Sequence, residues 1–403
     1  MGWQQWMTEA KVLAGIAHGS RAFGAPYQAS LWLSNRCNLR CIHCYYYSPL
    51  AAEPNDFEVR QARQAGLPAP DLQTVLKRQT LDADPDRTRR LIDDLIRMGS
   101  WSFHFAGSGE PLMHPDALEL MARVKRAGRA CCMNTNGTLL DGAAVDELVR
   151  MGYDELRITT MAGTDEVYAR THPGSRPGTF DRLKQTLLAL AERKEAAGSA
   201  RPLVYLVCIV VQQNYDGLLD FVRLAHEVRA DGVVVHAVDD VCDPCMACLV
   251  PTEAQADAVR EQLPEMARFL EERGIRHNLG RFAMTFRSRL DTRALYQAIP
   301  CYVGWLSVQV HADGDVHACC RCYRRLGNAY ETPIQEIWEG AAYRDFRRAA
   351  GQINRRGAAV EGCSCDNCAT NGANVRVFRR LHPLSRRLRD LEHECAAPGD
   401  DAE

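Results

Sequence analysis

Cys37, Cys41 and Cys44 stand close together in "SNRCNLRCIHCYYYSP", spaced C-x3-C-x2-C. Thiolates bind zinc and iron, and a structural zinc ion and a cubane iron–sulfur cluster each take four protein ligands. Three thiols in one loop leave one position open. A small chelating ligand on an exposed iron would fill it; so would a remote residue completing a zinc site or a cluster. Further groups follow at 131/132, 242/245/248, 301, 319/320/322 and 363/365/368, with Cys208 and Cys395 alone. The total of 17 cysteines is odd. The chain is expected to be cytoplasmic, where disulfides do not persist, so the expectation moves from a disulfide framework to metal ligation or redox chemistry.

Something must hold these thiols, and the rest of the chain reads as that scaffold. The 403 residues suffice for two domains, and 46% hydrophobic and 25% charged residues are ordinary for a soluble globular protein. A net charge of −2 offers no field for nucleic acid. No apolar run approaches the ~20 residues of a membrane span. The first residues, "MGWQQWMTEAKVLAGIAHGS", lack a continuous apolar segment, so no signal peptide is expected.

Strand-like runs at 29–34, 101–107, 129–137, 155–163, 202–213 and 232–240 alternate with amphipathic helical stretches such as 86–99, 115–128, 179–198 and 251–274. Six such units predict parallel α/β architecture, either an open partial (β/α)6 barrel or an open doubly wound sheet. In both, ligands gather beyond the carboxyl ends of the strands. Residues 50–83 form an unusually long connection, a candidate lid or a surface insertion. After residue 290 the rhythm changes to cysteines, Gly turns and a hairpin-like "WLSVQVHADGDVHACC", which predicts a second, smaller domain. The expected organisation is an extension at 1–28, a barrel at 29–275, a cysteine-rich domain at 276–370 and a tail at 371–403, solvated in the stretch from Arg379 on.

"CNLRCIHC" after a first strand resembles the signature of the radical S-adenosylmethionine (radical SAM) superfamily. The resemblance implies that Cys37, Cys41 and Cys44 hold a [4Fe–4S] cluster whose open iron is chelated by S-adenosylmethionine (SAM). One electron then yields a 5′-deoxyadenosyl radical, with flavodoxin or ferredoxin as a suitable reductant. His43 takes the place of the usual aromatic residue beside adenine. Ser108, Gly109, Glu110 and Pro111 resemble the Gly-Gly-Glu-Pro segment, in which the carboxylate of Glu110 complements the methionine ammonium. "NTNG", from Asn134, and "ELRITTMAGTDEVYARTHPG" resemble later segments. There Arg157 or Thr159 would approach the ribose and Arg170 the methionine carboxylate; surface ion pairs are the alternative for the two arginines.

The C-terminal cysteines resemble the SPASM/twitch extension of the same superfamily. That resemblance implies that Cys301, Cys319, Cys365 and Cys368 ligate one auxiliary [4Fe–4S] cluster, with Cys320, Cys322 and Cys363 left over and a zinc knuckle as the alternative. Cys242, Cys245 and Cys248 follow the sixth strand. They are candidate hydrogen-atom donors to a substrate radical, with metal ligation or an inert loop as the other readings. Asp239 and Asp240 are candidates for holding substrate hydroxyls, or are solvated carboxylates. The expected function is hydrogen abstraction from a carbohydrate-like substrate, leading to epimerisation. Dehydrogenation, maturation of a ribosomally made peptide and electron carriage by a non-enzyme are the alternatives. No nucleic-acid or membrane partner is expected.

Overall fold

The computed structural model describes residues 3–50, 72–238, 246–288, 292–357, 360–363, 365, 368 and 371–385. Asp239, Asp240, Cys242 and Cys245 lie outside these residues, as do 51–71 of the candidate lid and 386–403 of the tail. Among the described residues, no helix is long and apolar enough to cross a membrane.

Six strands carry the barrel: β1 (Gln28–Leu31), β2 (Ser102–Phe105), β3 (Ala130–Thr135), β4 (Glu155–Thr159), β5 (Leu203–Val210) and β6 (Gly232–Ala237). They lie side by side in chain order, all parallel. A doubly wound sheet reverses its strand order at a switch point. No reversal occurs here, so right-handed crossovers place the connecting helices on one face of the sheet. This is the open partial barrel of the two sequence alternatives. Local chemistry delimits its helices: Pro85–Met98 starts after Asp84, whose side chain accepts from the Arg87 N–H, and ends at the left-handed Gly99. Its buried Leu91, Ile92 and Leu95 form the stripe that faces the sheet.

Strand alternation separates the two faces of the sheet. Phe105, Met133 and Leu156 share one row of the register and are buried in the main core. The neighbouring rows, His104–Cys132–Glu155 and Asn134–Arg157–Tyr205, point the other way. The face without helix cover is thus polar, and it lines the barrel lumen.

β7 (Arg276–His277) adds a short parallel strand beside β6. On the other side, β8 (Ser307–Val310) pairs parallel with β1, and β9 (Asp315–His317) and β10 (Gly327–Asn328) follow antiparallel. The C-terminal cysteine-rich part therefore extends the barrel sheet into ten strands rather than standing apart. The N-terminal segment is clamped to it, since the indole N–H groups of Trp305 and Trp338 donate to the Arg21 and Gly24 carbonyls at 2.9 and 2.8 Å. The start of the tail, ahead of the stretch expected to be solvated, is packed. In the helix Asn371–Leu381, Asn374 is wholly buried and Phe378 packs with Leu295, Ile299 and Tyr302. These two sit four residues apart on the inner face, while Arg376, Arg379 and Arg380 face outward.

Candidate metal and cofactor site

The loop after β1 is pinned before its first thiol. Ser34 Oγ donates to Asp82 at 2.7 Å, and Arg36 forms an ion pair with Asp82 and donates to the Met113 carbonyl at 2.8 Å. Turns then bring the cysteines round: the Cys44 N–H donates to the Cys41 carbonyl, and Ser48 Oγ closes onto the Ile42 carbonyl at 2.7 Å. Ile42 anchors the loop in a small apolar cluster with Met161, Val211 and Leu249. Met161 ends β4 with φ 54°, a conformation that a residue with a side chain seldom adopts, and Asn214 holds its carbonyl at 3.0 Å.

The segment after β2 leans directly on this loop. The Glu110 N–H donates to the Arg36 carbonyl at 2.8 Å, and Ser108 Oγ donates to Asn35 Oδ1 at 2.7 Å. A Cβ at Gly109 would lie 2.3 Å from the Arg36 carbonyl oxygen, so only glycine fits. Glu110, 2% exposed, receives Thr135 Oγ1 and the Leu112 N–H on one oxygen and the Asn136 N–H on the other. Burial raises its pKa. Two carboxylate oxygens offer about four acceptor positions, so the three protein donors leave room for one ammonium hydrogen bond.

Burial pushes the Cys37 thiol up to about 11, and it raises Cys41 and Cys44 too; for Cys37 and Cys41 the neighbouring thiols add to it. Three thiolates here need a cation among them. Unpartnered buried polar atoms gather alongside: His43 Nδ1, Tyr168 Oη and His172 Nε2 lack hydrogen-bond partners among the described residues. Tyr168 interacts with Cys41, and His172 with His43. Burial lowers His43 to about 3 and His172 to about 4, so both rings are neutral at pH 7. Among the described residues, no three His, Cys, Asp or Glu side chains converge on a single ion; a cubane asks only one thiolate per iron. The donor set fits a three-thiolate cluster, with donors at hand for its sulfurs and an acceptor at Glu110 for a chelating amino acid.

The other expected SAM contacts divide. Asn134 does not reach the cysteine loop; it pairs with His104 at 3.1 Å in the lumen. Asn136 reaches it instead, donating to Asn38 at 2.9 Å and standing 4.0 Å from Cys37 Sγ. Arg157 is held by Glu155 at 2.6 Å on the lumen face, Thr159 is half-buried at the end of β4, and Arg170 pairs with Asp216 at 3.6 Å. Cys248 is exposed on the short turn Met246–Leu249. A cavity of about 200 Å³ opens at the amino-terminal end of the lumen, against Gln28, Ser102, His104, Cys132, Glu155 and Arg157. Sequence reasoning missed Thr135, Asn136, Tyr168 and His172. The signal for the last two was their spacing of four residues in "VYARTH".

The C-terminal thiols also assemble. Cys301 interacts with Cys365 and Cys368, and Cys319 with Cys301 and Cys368; burial, reinforced by these neighbours, raises both pKa values. Cys320 adjoins the same group. Cys322 and Cys363 form a disulfide, contrary to the expectation drawn from the compartment. Their backbones pair as an antiparallel bridge, which sets the two residues face to face with Cα atoms 4.0 Å apart. The two cysteine regions touch. Arg321, between Cys320 and Cys322, donates to the hydroxyl of Tyr45 at 3.1 Å and lies over its ring. In parallel, Tyr46, Trp32, His311 and His317 form a ladder of rings with centroid spacings of 6.0, 3.8 and 4.4 Å, and His317 bonds the Cys322 carbonyl at 3.0 Å.

Residues 33–225 match the radical SAM superfamily, and residues 301–369 match SPASM, an iron–sulfur cluster-binding domain. A PqqA peptide cyclase of Streptomyces rochei is 26% identical over 85% of this chain and 86% of its own length. One of Ruegeria pomeroyi is 26% identical over 94% of each. Among solved structures, Streptococcus suis SuiB bound to its precursor peptide SuiA superposes with a TM-score of 0.57 at 15% identity, over 85% of this chain and 71% of that one.

Proposed function

Because the chain is a radical SAM enzyme with a C-terminal SPASM domain, we propose that it matures a ribosomally made peptide. The cluster and SAM, when bound, supply the electron and the 5′-deoxyadenosyl radical that removes a hydrogen atom from the peptide. The protein's own residues select and orient. Glu110 receives the SAM ammonium on its remaining acceptor position, His43 offers a neutral ring for the adenine, and Asn136 fixes the Cys37 turn. The substrate segment is received beyond the carboxyl ends of the strands, where the cysteine loop and Glu110 lie.

The observation that carries this reading is likeness over nearly the whole chain, barrel and cysteine-rich part together, to relatives named for a peptide substrate. The carbohydrate epimerase expected from the sequence finds no such support. The test is an anaerobic incubation of the reconstituted enzyme with SAM, a reductant and short peptides encoded beside its gene. Release of 5′-deoxyadenosine together with a peptide that has lost two hydrogens supports the proposal. Release of 5′-deoxyadenosine with every peptide unchanged, while a sugar or aminocyclitol is converted, overturns it.

A further inference from the structure

Two side chains outside the set Cys301, Cys319, Cys365 and Cys368 address its sulfurs. The Tyr296 hydroxyl lies 2.7 Å from Cys368 Sγ. Asn374 Nδ2 donates to the Tyr296 oxygen at 2.8 Å and stands 3.9 Å from Cys301 Sγ. Asn374 Oδ1 accepts the Tyr302 backbone N–H at 2.7 Å, which fixes the amide with its NH2 toward the tyrosine and the thiol. The Tyr296 oxygen is thus already an acceptor, and its own proton is left to point at Cys368. A thiolate on iron only accepts, so the direction of the chain is set: Asn374 to Tyr296 to Cys368, with a branch to Cys301.

We propose that Tyr296 and Asn374 tune the auxiliary cluster, raising its reduction potential through hydrogen bonds to the Cys368 and Cys301 thiolates. The inference rests on reading those four cysteines as cluster ligands. Hydrogen bonds to the sulfurs and solvent exposure are among the main settings of an iron–sulfur potential. Each such bond draws charge from a thiolate and favours the reduced, more negative cluster. Tyr296 is 4% exposed and Asn374 0%, so water does not compete and the bonds act at low local dielectric. A raised potential makes this site the better electron acceptor of the two, which suits a product two hydrogens poorer than its substrate.

The experiment is a redox titration of the fully reconstituted enzyme, followed by electron paramagnetic resonance, which reads the two clusters separately. Tyr296→Phe keeps the ring and removes the donor. We expect the reduced-to-oxidised ratio of the auxiliary cluster at fixed potential to fall about tenfold, a shift of ~59 mV to the negative for a one-electron couple. Iron stays at about eight per chain, four for each cubane, and the potential of the Cys37 site does not move. Asn374→Leu shifts the auxiliary potential in the same direction, and it carries the test if Tyr296→Phe does not hold iron. Tyr330→Phe, which removes a hydroxyl bonded to Thr88 at 3.1 Å, leaves the potential unchanged. An auxiliary potential equal to wild type in the tyrosine and asparagine variants, or both clusters shifting together, overturns the inference. Wild-type enzyme with about four irons and one signal overturns the cluster assignment itself.

Discussion

Replacing Gly109 by alanine tests whether the two halves of the SAM site are built against each other. The added Cβ would stand 2.3 Å from the Arg36 oxygen, 2.6 Å from the Asn35 carbonyl carbon and 2.7 Å from the Ser34 oxygen. All three are backbone atoms, so no side chain can swing away. Ordinary contact begins near 3.4 Å, and one strand end must therefore retreat by about 1 Å. The cysteine loop is held on its far side by Asp82, so the segment after β2 is the part that moves. That movement stretches the 2.8 Å bond from the Glu110 N–H to the Arg36 carbonyl. Overpacking costs about 1–3 kcal/mol and the lost hydrogen bond about 1, giving about 2–4 kcal/mol in all. Gly142 is the internal control: it begins the helix Gly142–Arg150, and its Cβ would meet nothing within 4 Å. There alanine stabilises by about 0.4–1 kcal/mol through the unfolded chain. Urea unfolding of the metal-free chain and the rate of iron loss to a chelator from the reconstituted one measure both effects. Gly109→Ala with the midpoint and iron retention of wild type would refute the argument.

Glu110→Gln keeps one oxygen for Thr135 and Leu112 but turns an NH2 group toward the Asn136 N–H. A loss of about 1–3 kcal/mol in stability is expected, with weakened SAM binding by equilibrium dialysis. Tyr45→Leu and Arg321→Met, alone and together, should show a coupling of about 1–2 kcal/mol in unfolding free energy; additive effects would mean that the contact carries nothing. Cys322→Ser leaves the four-thiol set complete, so the auxiliary iron is retained. The segment carrying Cys365 and Cys368 loses its tether, however, and iron should leave faster under chelation. Cys301→Ala, by contrast, should halve the iron content.

The cysteine groups were legible as groups because their spacing is local, and the structure keeps Cys37, Cys41 and Cys44 on one loop after β1. The six parallel units were legible through alternating periodicity. What escaped depended on partners distant in sequence. Nothing local to "SVQV" says that β8 docks in register beside β1, so the C-terminal part looked like a separate domain. That Asn136 rather than Asn134 stands beside Cys37 is a matter of strand phase. Asn134 is still within β3 and alternation sends it into the lumen; Asn136 lies just past the strand end, where the chain turns toward Cys37.

The pairing of β8 with β1 has a chemical consequence. It adds Gln309 to the row of hydrogen-bonding groups on the uncovered face, from Ser30 and His104 to Cys132 and Glu155. A flat apolar substrate would leave these groups without partners, at a cost of about 1–3 kcal/mol each. A peptide segment brings its own donors and acceptors at every residue. Under the proposed function, the polarity of the uncovered face, set by strand alternation and by the absence of helices there, matches an extended hydrogen-bonding substrate before any single contact is specified.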